Sequence, residues 1–452
     1  MEKQNNDFLG TEPLGPLLRR LALPTVAAQL INMLYNIVDR MYIGHIPKTG
    51  AMALTGLGVC MPIIMIVSAF AALISVGGAP RASISMGRGE TEKAERTLGA
   101  CFAMQIVISV VLTAVLLVWG EPMLMAFGAS ANTIGYASAY LGIYALGTVF
   151  VQLTLGMNAF ITAQGFSKVS MISVLIGAVC NIILDPIFIF GLGMGVRGAA
   201  LATIISQSLS CAWALSFLFG KKTLLRIRQK YVRLDMKILL PCLALGSATF
   251  VMQASESVIS VCFNSSLLRY GSDMAVGAMT ILTSVMQFAM MPLSGLGQGA
   301  QPIISYNYGR RDYGRVRGAF KLLLKCSLAY SLTLWAAVML FPSAFAGMFT
   351  SSAELRAFAA RALRIYIAGV GLFGIQIACQ MTFASLANAK ASIAVAVTRK
   401  FLLLIPLIYI LPAVLPIDKA TAVYMAEPVA DILAVIFTAV LFRSQFKKAL
   451  SA

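Results

Sequence analysis

Apolar side chains along this chain run in long continuous stretches and do not alternate with polar ones at every second position. Twelve such stretches begin near Leu17, Met52, Leu98, Tyr136, Val169, Gly198, Ile238, Met274, Phe320, Leu363, Ile393 and Thr421. Each approaches the roughly 20 residues that a helix needs to cross a bilayer. In the hydrocarbon core every backbone N–H and C=O must bond internally, which leaves helices or closed barrels. Continuous runs select helices. The pattern predicts an all-α fold, a polytopic transmembrane bundle of twelve helices.

The polar punctuation between the runs repeats. The segment GGAPRASISMGRGETEKAERTLGA from Gly77 aligns with GAQPIISYNYGRRDYGRVRGAFKL from Gly299 at an offset of 222. Gly77 meets Gly299, Pro80 meets Pro302, Ser83 meets Ser305, and Gly87-Arg88 meet Gly309-Arg310. The same offset pairs Ile143-Tyr144 with Ile365-Tyr366, while Leu23-Pro24 meet Leu240-Pro241 at an offset of 217. Unrelated apolar helices would share Leu and Ala, but not this spacing of Gly, Pro and Arg. Six helices per half is an even number, so both halves enter the membrane from the same side. Such parallel repeats place substrate between pseudo-symmetric halves. The expected division is an N-lobe at 1–220 (helices 1–6), a basic linker at 221–237, and a C-lobe at 238–452 (helices 7–12).

Composition narrows the class. The chain is 59% hydrophobic and 12% charged, with a mean hydropathy of +0.85; soluble proteins carry about a quarter charged residues. The net charge of +18 could suggest a polyanion partner, but its placement does not. With the N-terminus in the cytoplasm, only Arg40, Lys48, Arg197, Arg269, Arg356, Arg361, Arg364 and Lys419 of the 35 basic residues fall on the far side. That is the positive-inside rule; it puts both termini in the cytoplasm and gives no reason to expect nucleic acid. The first twenty residues lack an apolar core, so no secretory signal peptide is expected. The eight cysteines stand singly in apolar runs without ligand spacing and read as small buried hydrophobes. His45 is the one histidine, and no HExxH or GxSxG motif is present, so a membrane enzyme is not expected.

Carboxylates at membrane depth are costly and mark function by default. Asp39, Asp185, Glu256, Glu427 and Asp431 are the ones in apolar stretches. Helix rise puts Asp39 roughly 22 Å beyond Pro24, and Asp185 roughly 25 Å beyond Lys168. Both then lie in the outer half of the membrane, with Asn181 one turn before Asp185 on the same face. Such a pair could share a proton or hold Na⁺ through oxygen ligands, with Asp39 and Asp185 as the metal-binding acids in the second case. The 217 offset carries Asp39 to Glu256; the 222 offset carries Asp185 to Leu407. The N-terminal half alone therefore has the full set. Asp39 next to Arg40 also reads as an interfacial carboxylate, and Glu427 and Asp431 flank Pro428, where local capping is an equal reading. The 24 Met and 25 Phe suit either an adaptable pocket or plain packing.

Four segments carry a resemblance: LALPTVAAQLINMLYNIVDRMYIG from Leu21, NIILDPIFIFGLGMGVRGAALAT from Asn181, GQGAQPIISYNYGRRDYGRV from Gly297 and LLLIPLIYILP from Leu402. Together they are similar to the MATE (multidrug and toxic compound extrusion) transporters of bacterial type, over nearly the whole chain. The resemblance implies a V-shaped bundle with a central cavity that exports amphipathic organic cations in exchange for H⁺ or Na⁺, with no other cofactor. It implies a bacterial inner-membrane protein, active as a monomer, whose partners are small organic molecules and the lipid bilayer. It also implies an N-lobe cation site of Asp39, Asn181, Asp185 and Thr203, with Asn158 as a further member. Glu256 matches an acid of some members, which with Glu427 and Asp431 suggests a C-lobe cation or substrate site. The sequence departs from the family pattern at Glu427 and Lys400; a Lys400 facing the cavity would disfavour cationic drugs. The alternative is a lipid-linked precursor flippase of the same superfamily, which would need a strongly cationic cavity.

Overall fold

The computed structural model describes residues 7–270, 273–350 and 352–451, and among these every regular element is helical. Ten helices are long and apolar enough to cross a membrane, or twelve spans if two bent pairs each count as one. In chain order these are α1 (Leu14–Gly44), α2 (Gly50–Gly87), α3 (Thr91–Ala126), α4 (Ile134–Leu146 with Thr148–Ala163), α5 (Ser167–Pro186) and α6 (Val196–Phe219) in the first half. The second half has α7 (Met236–Tyr270), α8 (Asp273–Gly309), α9 (Tyr313–Leu340), α10 (Ala353–Tyr366 with Phe373–Ser385), α11 (Ala389–Val397, continuing through Ile405–Val414) and α12 (Lys419–Tyr424 with Ala426–Ala449). The chain is thus a multi-pass membrane protein of two six-helix halves.

Several helices begin before their apolar runs, because solvated first turns are stabilised by charge. At the start of α3, Arg96 pairs with Glu92 at 2.7 Å and Lys93 with Glu90 at 3.1 Å. The first turn of α7 takes in Met236 and Lys237, the last two residues of the expected linker, with the Lys237 N–H donating to Asp235 Oδ1 at 3.1 Å.

The irregularities repeat as the sequence does. The pieces of α4 meet at 58° beside Gly147, and those of α10 at 47° beside Gly369, its image at offset 222. The fifth helix of each half widens into π-helix, at Ile187–Gly191 after α5 and at Thr398–Leu404 within α11. Pro186 supplies no N–H to the carbonyl one turn back, which favours a local change of helix type there.

Packing shows how the halves meet. At the end bearing most of the basic residues, one core spans both halves, joining Leu17, Leu21, Ile74 and Leu98 to Leu239, Cys242, Ile303 and Val316. At the other end each half has its own core, around Ile43, Leu57 and Tyr140 in the first and around Phe263, Leu282 and Ile408 in the second. Two bodies joined at one end and separately packed at the other enclose a cleft, the V that the resemblance implied.

Glycines make the junction close. A methyl group on Gly87 would strike the Tyr306 carbonyl, and one on Gly309 would strike the Ile84 carbonyl. Thr25 Oγ1 adds a bond to the Gly295 carbonyl at 2.6 Å. The turn Asp7–Thr11 lies across the same end: the Leu9 carbonyl accepts from Asn307 Nδ2 (2.8 Å) and an Arg315 N–H (3.2 Å). The linker is tied to the first half. Gln164 Oε1 accepts from Thr223 Oγ1 and from the Leu224 and Leu225 N–H groups, and Glu95 accepts from Arg228 Nε at 2.6 Å. Apolar side chains such as Val118, Val261 and Val440, each about two-thirds exposed, form the lipid-facing surface. The cysteines are all free and buried or half-buried, as expected.

Candidate functional site

The first lobe gathers its polar residues where α1, α4, α5 and α6 meet beside the cleft. Asp39 on α1 and Asp185 on α5 are both buried, at 6% and 0% exposed, and their carboxyl groups lie beside one another. Asn181, one helical turn before Asp185, donates through Nδ2 to Asp185 Oδ1 (3.3 Å) and to Thr203 Oγ1 on α6 (3.5 Å). Asp39, Asn181, Asp185 and Thr203 therefore form one cluster. Asn158 does not join it directly. It donates to Ser173 Oγ at 3.2 Å, two helical turns of α5 nearer the basic end.

Three residues belong to the cluster that the sequence reading did not single out. Tyr35 lies beside Gln207, and Tyr140 beside Thr203. Tyr35 stands one turn before Asp39, and Gln207 one turn after Thr203, so helical spacing was the available signal.

The acceptors of this cluster outnumber its donors. Asp39 Oδ1, Asp185 Oδ2 and Asn181 Oδ1 are buried without a hydrogen-bond partner. Orphaned buried oxygens of this kind carry a desolvation cost that a bound cation removes. The donor set is all oxygen, which suits a proton or a hard alkali cation better than a transition metal. Among the described residues, no group of three or more His, Cys, Asp or Glu side chains is arranged to hold a metal ion.

The second lobe places its polar residues on the corresponding elements, with a different chemistry. Arg399, in the π-helical part of α11, donates through Nε to Asp431 Oδ1 (2.8 Å) and through a terminal nitrogen to Glu427 Oε1 (3.0 Å). Its guanidinium also lies 4.6 Å from the centroid of the Phe373 ring. Lys400 Nζ donates to Glu256 Oε1 on α7 at 2.7 Å. Glu427 and Asp431 are thus partners of a buried arginine and not caps of the proline turn. Lys400 does not present a free charge to the cavity; it is 4% exposed and paired. Gly369 at the bend of α10 lets α12 approach closely, for a methyl there would press on the Pro428 carbonyl and Asp431 Cβ.

The fold and chain have clear relatives. The family model described as MatE matches residues 24–187 and 248–410, one match in each half. The multidrug export protein MepA of Staphylococcus saprophyticus is 25% identical over 358 residues, covering 79% of this chain and 78% of that protein. MepA of Staphylococcus aureus is 24% identical over 375 residues, covering 83% and 82%. Among solved structures, an outward-facing multidrug resistance MATE transporter superposes with a TM-score of 0.92 at 21% identity over 99% of both chains. A transporter of the MOP superfamily from Pyrococcus furiosus, described as having a binding pocket of reverse polarity, gives 0.90 at 21% identity over the full length of both. At that identity the structures speak for the fold alone.

Proposed function

This chain belongs to the MATE family, whose MatE model matches both of its halves, and from that premise we propose that it exports amphipathic organic cations by alternating access in exchange for an inward-moving cation. Family membership makes it a transporter and not an enzyme. The relatives named multidrug export proteins support the substrate class. The chain would lie in the bacterial cell membrane with its basic end in the cytoplasm and act as a monomer.

The observation that carries the coupling is the pair of buried acids Asp39 and Asp185, each with a carboxyl oxygen that has no hydrogen-bond partner. Two buried carboxylates side by side repel, and a proton or a metal cation shared between them removes that repulsion. The proton is our first choice of coupling ion, since two neighbouring acids can share it without further ligands. Na⁺ held by the oxygens of Asp39, Asn181, Asp185 and Thr203 is the second. Either ion would favour one lobe arrangement, and drug the other, so that the two exchange; coupling requires each ligand to bind the two states unequally. Efflux of a fluorescent organic cation from proteoliposomes, with pH and Na⁺ gradients imposed separately, tests this. Asp39→Asn and Asp185→Asn should each abolish gradient-driven efflux in a folded protein, and undiminished efflux in both would remove the assignment. Flipping a lipid-linked diphosphate is the less favoured reading, because Arg399 and Lys400 are already engaged by Glu256, Glu427 and Asp431.

A further inference from the structure

The ion network of the second lobe is asymmetric in a way its buried arginine does not explain. Arg399 is enclosed and held by two acids. Lys400 has a single hydrogen-bond partner among the described residues, Glu256. Within that pair the lysine side chain is 5% exposed and the glutamate 48% exposed. The open side of Glu256 does not face lipid. The exposed apolar stripe of α7 runs through Leu240, Val258 and Val261, and at 100° per residue Glu256 lies roughly 160° around the helix from Val258. A carboxylate directed away from the hydrocarbon on a cleft-bordering helix is reached from the cleft.

The two lobes can be compared position by position. Glu256 is the image of Asp39, and α11 is the image of α5. Where the first lobe has orphaned acceptor oxygens, the second has a covalently attached ammonium on the acid. We propose that Lys400 is a tethered cation that competes with the amine or onium group of a substrate for Glu256, and so sets how strongly the cleft takes organic cations. A substrate cation binds the exposed side of Glu256 and releases the ammonium. The lysine charge stays compensated, because Glu427 and Asp431 remain as two acids for Arg399 and Lys400, and Asp431 Oδ2 is a buried acceptor without a hydrogen-bond partner. A mobile ion need not enter this lobe. This inference rests on the export reading above, since it assigns the residue that tunes selectivity for the same substrates.

Equilibrium dialysis of tetraphenylphosphonium against the purified full-length protein tests it. Removing the competitor with Lys400→Met should tighten binding roughly tenfold, while Lys400→Arg should stay within about twofold of the parent. In the double variant Lys400→Met/Glu256→Gln the gain should vanish, because the anchor has gone too. Should Lys400→Met fail to fold, Glu256→Gln alone decides: it should weaken binding, and unchanged binding overturns the proposal. A folded Lys400→Met protein that binds no more tightly than the parent overturns it and leaves the export reading standing. A gain that survives in the double variant overturns it as well. If neither parent nor any folded variant binds the probe, the export reading fails and takes this inference with it.

Discussion

Arg399 shows what a buried charge requires. Its side chain is 7% exposed and faces two carboxylates that are equally enclosed. The planar guanidinium can donate to both at once, in a geometry that an ammonium cannot copy. Arg399→Met would leave Glu427 and Asp431 uncompensated, at a cost of about 3–5 kcal/mol. Thermal unfolding in detergent should show a large drop for Arg399→Met and only partial recovery for Arg399→Lys. A melting curve unchanged by Arg399→Met would contradict the network. These residues were unequally legible in the sequence. Asp39, Asn181 and Asp185 could be read because carboxylates and amides in apolar runs are rare enough to stand out, whereas Thr203 came only with the family resemblance. Tyr35, Tyr140 and Gln207 were harder to read, since tyrosine and glutamine in such helices usually pack or bond locally and helical spacing alone is a weak signal. The Arg399–Asp431 bond joins two helices, and no spacing along one helix predicts it.

Helices were the easiest elements to read, and their interruptions the hardest. Continuous hydrophobicity marks a span without reference to anything else in the chain. A bend depends on what the helix packs against, and glycine is too common in membrane helices to mark one. Gly147 and Gly369 occupy equivalent bends because each lies against the sixth helix of its half, touching Ile204 and Pro428 respectively. The repeated glycines of α2 and α8 have a clearer meaning in three dimensions. Gly87 and Gly309 bring the lobes into backbone contact at the basic end. Gly309→Ala should therefore destabilise the arrangement closed at that end by about 1–3 kcal/mol, the usual cost of overpacking. Cys242, fully buried under the same junction, reports the change: its labelling by a membrane-impermeant maleimide should rise severalfold in Gly309→Ala protein. Unchanged labelling would mean that the junction gives way elsewhere.

The whole molecule divides one chemistry between two similar bodies. The repeat predicted equivalent scaffolds, and the fold has them, down to paired bends and paired π turns. The charge is not equivalent. The first lobe buries acceptor oxygens that have no hydrogen-bond partner, whereas the second sets Arg399 and Lys400 against its three acids. The linker is bonded to the first lobe through Gln164 and Glu95, so any movement between the lobes must be taken up near the start of α7. An asymmetric pair joined at one end is suited to coupling, because an ion bound in one body can bias the position of the other without occupying the cleft. The claim is tested most directly by tetraphenylphosphonium efflux from proteoliposomes driven by a pH gradient alone, in parent, Asp39→Asn and Asp185→Asn proteins. The account predicts efflux in the parent and none above the no-gradient level in either folded variant. Efflux at the parent rate in both variants would contradict it.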